Sequence, residues 1–227
     1  MSGALLLLML AAPAAVTIIL LLCHDVFAVF AFYHLGLCLL LPAVVNLGVR
    51  RRGWRDHLAA LGLTGPGTGR GMLLGLGLAV LTGIVINLFF NLTDGALPTR
   101  DALVDTLAAW GVGPTRYGPL FLFMALVNGP AEELFWRGFV ATELADLPSR
   151  RWALLVPTIC YASYHGVTVL LLAGSPGSAV IMLSGVLMAG GLWAWLRERT
   201  GSVWPALINH AAATYFYMAT AWSIIGS

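Results

Sequence analysis

The sequence predicts an all-α, polytopic membrane protein of about seven transmembrane helices, on three observations. Only 10% of its 227 residues are charged and 59% are hydrophobic, whereas soluble domains carry about 25% charged residues. Apolar runs of about 20 residues, the length of a helical span, recur along the whole chain. The basic residues, all of them arginine, gather in alternate loops between those runs.

The runs place spans at 3–22, 26–49, 71–92, 119–141, 152–173, 179–196 and 202–225. The first starts without basic residues. Ala-Ala-Pro-Ala-Ala at 11–15 mimics a signal cleavage site, but the apolar run continues past it, which predicts a retained helix. After the second span, the basic stretch 50–70 reads as an interfacial segment that meets anionic lipid head groups, followed by a flexible Gly65-Pro-Gly-Thr-Gly loop. Between the third and fourth spans, Asp94, Asp101 and Asp105 surround Ala102–Trp110, a pattern for a short amphipathic helix on the membrane surface. Gly185, Ala189, Gly190 and Gly191 in the sixth span suit close helix packing. Cys23, Cys38 and Cys160 lack metal-motif spacing and read as small buried hydrophobes.

This arrangement puts Arg50, Arg51, Arg52, Arg55, Arg70, Arg150, Arg151, Arg197 and Arg199 on one side and only Arg100 and Arg116 on the other. The positive-inside rule then places the N-terminus in the cytoplasm and the C-terminus outside. No polar stretch is long enough for a separate soluble domain, so 1–227 reads as one membrane domain. The net charge of +2 says little about partners, and no nucleic-acid partner is expected.

The fourth span carries Glu132, Glu133 and Arg137 within six positions. Charge at membrane depth costs about 2.5 kcal/mol per residue or more, so such residues mark function or a dedicated partner. Glu133 and Arg137 stand four apart with the acid first, the favourable order for an intrahelical ion pair. Glu132 lies about 100° around the helix, away from that arginine. Asn128, one turn earlier, is positioned to hydrogen-bond it, and Gly129-Pro130 favours a kink just before the pair. His165, with Tyr161 one turn before it, and His210, with Thr214 one turn after it, fall in later spans. At about 1.5 Å per residue, Glu132, His165 and His210 reach similar mid-membrane levels. His24 falls at a loop, His57 on the basic segment, and His34, beside Tyr33, reads as a packing residue. Glutamates and histidines in spans also form proton relays, so a proton-coupled transporter is a competing reading.

Pro130-Ala-Glu132-Glu133-Leu-Phe-Trp-Arg137-Gly138, Tyr161-x-x-x-His165, and Gly201-Ser-Val-Trp204-Pro205 followed by His210 occur in order on successive spans. This set resembles the CPBP family of intramembrane proteases, which includes CAAX prenyl endopeptidases and bacteriocin-processing or self-immunity proteins. The resemblance covers 119–217 and implies a catalytic core on the last four helices, in a bacterial inner-membrane protein. It departs from the family pattern at Thr214, where asparagine is usual; Asn209 is an asparagine in another register.

By resemblance, Glu132 and His165 activate a water, His210 with Thr214 stabilises the oxyanion, and Glu133 with Arg137 is structural. The implied substrate is a membrane protein or lipid-anchored peptide, cleaved as in CAAX processing or in myxosortase-like removal of a C-terminal sorting signal. A metal-independent glutamate mechanism is expected. Zn²⁺ held by Glu132, His165 and His210 is the alternative, and a non-catalytic immunity or scaffold protein of the same fold is the alternative function.

Overall fold

Helices form where the apolar runs lie. The computed structural model describes residues 3–93, 98–145 and 150–226, and the described part contains helices and no strand. The helices are α1 (3–23), α2 (Val26–Val49), α3 (Trp54–Ala60), α4 (Thr68–Leu92), α5 (Arg100–Ala109), α6 (117–143), α7 (Arg150–Leu172), α8 (Pro176–Thr200) and α9 (Trp204–Gly226). All seven expected spans lie on helices. By length and composition α2, α4, α8 and the Leu155–Leu172 part of α7 are able to cross a membrane. The chain is a polytopic, all-α integral membrane protein. α1 adds the shorter apolar stretch Ala11–Cys23. α6 is diluted by its four charges, Glu132, Glu133, Arg137 and Glu143, and α9 by Asn209 and His210.

Local chemistry sets the breaks. Residue His24, in the left-handed region at φ 51°, ends α1. The Asp25 carboxylate then accepts from the Phe27 amide at 2.8 Å and the Ala28 amide at 3.3 Å, capping α2. Ser175 accepts from the Ser178 amide at 3.1 Å with Pro176 in the first turn of α8. α8 ends at left-handed Gly201, whose amide bonds back to Arg197 at 3.0 Å. The expected surface helix is α5, which buries Leu103 and Leu107 one turn apart. Asp94 of that loop lies outside the described residues.

The polarity of packing is that of a membrane protein. α6 is enclosed, with Phe135, Trp136, Arg137, Gly138, Phe139 and Val140 all buried, and it meets α2, α7, α8 and α9. α4 instead exposes Leu73, Leu76, Val80, Ile84 and Leu88. It packs on α9 along Gly71, Gly75 and Gly83. A Cβ there would lie 2.9 Å from Ser202 Oγ, 3.0 Å from the Trp204 carbonyl and 2.5 Å from Phe216 Cε2. Of the small residues expected to pack on α8, Gly190 is buried and Ala189 packs partly against the core, whereas a Cβ at Gly185 or Gly191 would meet nothing within 4 Å. Cys38 and Cys160 are buried as expected, but Cys23 is exposed where the α1 backbone turns out.

The basic segment 50–70 is more integrated than its composition predicts. Its α3 packs under the ends of α6 and α9. Thr142 donates to the Ala60 carbonyl at 2.8 Å, the Val203 amide to Gly62 at 3.0 Å, and the Trp204 indole to Leu63 at 2.9 Å. His57 is buried against Asn46 at 3.2 Å. At the opposite end, the Val26 amide donates to Trp110 at 3.0 Å and Arg100 to the Ile225 carbonyl at 3.1 Å.

Arg50 and Glu143 join the ends of α2 and α6 in a two-pronged ion pair, with Nη2 to Oε2 at 2.7 Å. Hydrogen bonding from Arg50 holds the Glu143 carboxyl below its ordinary 4.5, against an opposing push from partial burial. The folded pKa is depressed, so the stabilisation is present above 4.5 and is lost as pH falls through the folded value. Glu143→Gln is expected to destabilise by about 0.5 kcal/mol at neutral pH, as befits a partly exposed pair. Thermal midpoints in detergent at neutral and acid pH should show that difference shrinking below 4.5.

Candidate active site

The winding of α6 sets the direction of its polar side chains. Residues Met124–Asn128 and Leu134–Val140 are π-helical and flank the α-helical turn Gly129–Glu133. Such wide turns within a helix are frequent at functional sites. The register changes at Gly129-Pro130, where a kink is expected from the sequence. Gly129 also permits a close crossing with α9: a Cβ would lie 3.0 Å from the Ala211 amide nitrogen and 3.2 Å from His210 Cδ2. The absent side chain brings His210 against the two glutamates.

Glu133 and Arg137 form the intrahelical pair that their spacing predicts. Arg137 Nη1 donates to Glu133 Oε1 at 3.0 Å, and both residues are buried. Nη2 donates to the Gly190 carbonyl on α8 at 2.9 Å. The guanidinium also lies 4.6 Å from the Tyr161 ring centroid and 5.4 Å from that of Trp193. Glu133 is more than a partner for arginine, because His210 Nδ1 donates to the same Oε1 at 2.9 Å. The His210 ring stacks on Trp193 at 4.3 Å and 18°, and its Nε2 lies 3.4 Å from the Tyr161 hydroxyl and 3.7 Å from Glu132 Oε2.

Glu132, 1% exposed, points away from Arg137 as the helix geometry predicts. The Tyr164 hydroxyl donates a hydrogen bond to its Oε1, and His34 Nε2 lies 3.3 Å from the same oxygen. Oε2 has no hydrogen-bond partner within the protein. His34, read from the sequence as a packing residue, therefore belongs to the cluster. Its signal was a histidine deep in an apolar span, the same signal that picks out His165. α2 lies outside the segment that carries the motifs, so the sequence alone does not join His34 to them. Tyr164 stands directly before His165, and no periodicity separates a hydroxyl that meets a carboxylate from one that packs.

His165 is half-buried. Its Nδ1 donates to the Tyr161 carbonyl at 3.0 Å, so Nε2 of the neutral ring carries the lone pair. The ring lies 4.1 Å from that of Tyr164, but no His165 nitrogen comes within ion-pair distance of Glu132. The expected bond from Asn128 to Glu132 is not formed, because the π-turn ending at Asn128 shifts its face relative to the α-turn of Glu132. Asn209 points away from His210, accepting from Trp193 Nε1 at 2.7 Å and donating to Thr82 at 2.7 Å. Thr214 is buried one turn beyond His210.

No three His, Cys, Asp or Glu side chains among the described residues converge as a metal-ligand set. Glu132, His165 and His210 do not form such a set in this arrangement. Two open clefts of about 270 and 500 Å³ lie along α4, against α8 and α9, and neither is lined by the glutamates or site histidines. The half-buried His165 is the most accessible of the three expected catalytic side chains.

Residues 114–216 match the model of a protein family described as type II CAAX prenyl endopeptidase Rce1-like. No curated protein and no solved structure shows a significant match to the chain. The family segment runs from the turn before α6 into α9 and contains Glu132, Glu133, Arg137, Tyr161, His165 and His210.

Removing one member of a buried ion pair leaves an uncompensated charge and costs about 3–5 kcal/mol. Arg137→Met is therefore expected to lower stability by that amount in detergent unfolding. The double variant with Glu133→Gln should recover part of the loss, whereas independent sites would give additive losses.

Proposed function

We propose, from the match of residues 114–216 to the Rce1-like type II CAAX prenyl endopeptidase family, that the chain is an intramembrane endopeptidase. Its proposed substrate is a membrane protein or lipid-anchored peptide, cut in a C-terminal tail, sorting signal or leader. We place it in the bacterial inner membrane with the arginine-rich loops in the cytoplasm. The observation that carries the reading is a buried carboxylate, Glu132, with one oxygen hydrogen-bonded and the other unpartnered beside His210.

In the proposed reaction, water attacks the peptide carbonyl as Glu132 Oε2 takes its proton. His165, through the lone pair on Nε2, helps to orient that water. The tetrahedral oxyanion is stabilised by His210, which must carry protons on both ring nitrogens to donate through Nε2 while Nδ1–H stays on Glu133. The proton on Glu132 then passes to the leaving amine as the carbon–nitrogen bond breaks. Tyr161, 3.4 Å from His210 Nε2, is placed to hold that ring. Thr214 is proposed as an auxiliary hydroxyl one turn further along α9. Burial of the cluster supports the reading, since hydrogen bonds to developing charge are stronger where water is excluded.

Purified wild type and Glu132→Gln, assayed on peptides carrying membrane-protein C-termini with and without chelator, test the proposal. The variant is expected to lose activity by about 10²–10⁴-fold, the usual share of a general base, and chelator should leave wild type unchanged. Full cleavage by the variant would overturn the assignment and favour the non-catalytic reading. Loss with chelator and recovery with Zn²⁺ would overturn the metal-free mechanism.

A further inference from the structure

We infer that His34 is a positioning residue for Glu132: with Tyr164 it holds Oε1 and leaves Oε2 as the oxygen that reacts. The inference rests on the reading of Glu132 as the base, and it draws α2, which lies outside the family segment, into the site.

Three observations carry it. His34 is 3% exposed, and its Nε2 lies 3.3 Å from Glu132 Oε1, slightly off the line of a hydrogen bond. Neither ring nitrogen has another hydrogen-bond partner within the protein. A histidine kept only for packing normally satisfies its buried nitrogens, so the carboxylate is the acceptor that accounts for its presence. Three aromatic rings also enclose the imidazole edge-on: Phe30 at 5.5 Å and 76°, Tyr33 at 4.8 Å and 76°, and Phe123 at 5.6 Å and 79°. They restrict rotation and keep Nε2 near α6.

The Tyr164 hydroxyl approaches the same Oε1 from α7. A bonded hydroxyl from α7 and an imidazole from α2 that stands 3.3 Å from the same oxygen bracket Oε1 from two sides. The second oxygen is left without a partner and faces His210 Nε2 at 3.7 Å. Other polar groups around the pair are Tyr33 and Cys38 on α2 and, beyond Glu132, His210 on α9. Tyr33 is engaged as the acceptor from Trp136 Nε1 at 2.9 Å. His34 has no such bond, and its Nε2 stands 3.3 Å from Glu132 Oε1.

The test compares full-length wild type, His34→Leu and His34→Gln, each with and without Glu132→Gln. A positioning role predicts that His34→Leu lowers kcat about 10–100-fold, the effect of losing an outer hydrogen-bond partner, with KM little changed. Glutamine keeps a donor and should restore most of the rate. Thermal midpoints separate this from a loss of fold, since a packing residue would tolerate leucine at least as well as glutamine. An independent arm uses ¹⁵N-histidine NMR, with the His34 signal assigned by its disappearance in His34→Leu. Glu132→Gln should shift that signal. Wild-type kcat in His34→Leu, or a His34 signal unmoved by Glu132→Gln, would overturn the inference. A shifted signal in a protein that cleaves no peptide would sink the endopeptidase reading and still support the hold on Oε1.

Discussion

The Arg137 guanidinium holds three helices together at the centre of the bundle. Its Nη1 bonds Glu133 on its own helix, its Nη2 bonds the Gly190 carbonyl on α8, and its face meets Tyr161 on α7. Gly190 is required for this: a Cβ would lie 3.0 Å from Nη2 and 3.2 Å from Tyr161. Arg197 adds a second strut by donating to the Arg137 carbonyl at 3.0 Å. Helices in a bilayer lack the hydrophobic drive that assembles soluble bundles. A charge that must be matched then specifies which helices meet, and at what depth.

From that anchor the two glutamates acquire different surroundings by rotation alone. Adjacent residues on a helix point about 100° apart, so one faces the arginine while the other faces α2 and α7. Glu133 has its charge matched by Arg137 and passes an acceptor to His210. Glu132 instead meets the Tyr164 hydroxyl and the His34 imidazole. The π-turns on either side of 129–133 are part of this separation, because they reset the faces that Asn128 and the downstream aromatics present.

Much of the fold was legible because burial and period are written in composition. Every expected span lies on a helix, and the ion pair at 133 and 137 follows from spacing alone. The misses have physical causes. The contact of His34 with Glu132 depends on how α2 packs against α6, and no local pattern encodes a crossing between helices about 100 residues apart. The expected Asn128 bond assumed uniform α-winding, which the π-turn breaks. Gly185 and Gly191 share a composition with Gly190 but not its face. The basic segment after α2 reads as an interfacial stretch with a flexible loop because arginine and glycine dominate it, yet backbone carbonyls at Ala60, Gly62 and Leu63 dock it onto the bundle.

The proposed division between a structural and a reactive glutamate is therefore incomplete in one respect. His210 touches Glu133 through Nδ1 at 2.9 Å and approaches Glu132 through Nε2 at 3.7 Å, so one imidazole connects the two carboxylates. Any proton that His210 gains or loses during a reaction changes the charge seen by both. Arg137 fixes Glu133, Glu133 fixes the Nδ1 side of His210, and that leaves Nε2 as the nitrogen that faces Glu132. The Glu133–Arg137 pair thus orients the imidazole, while Tyr164 on α7 and His34 on α2 flank the carboxylate proposed as the base.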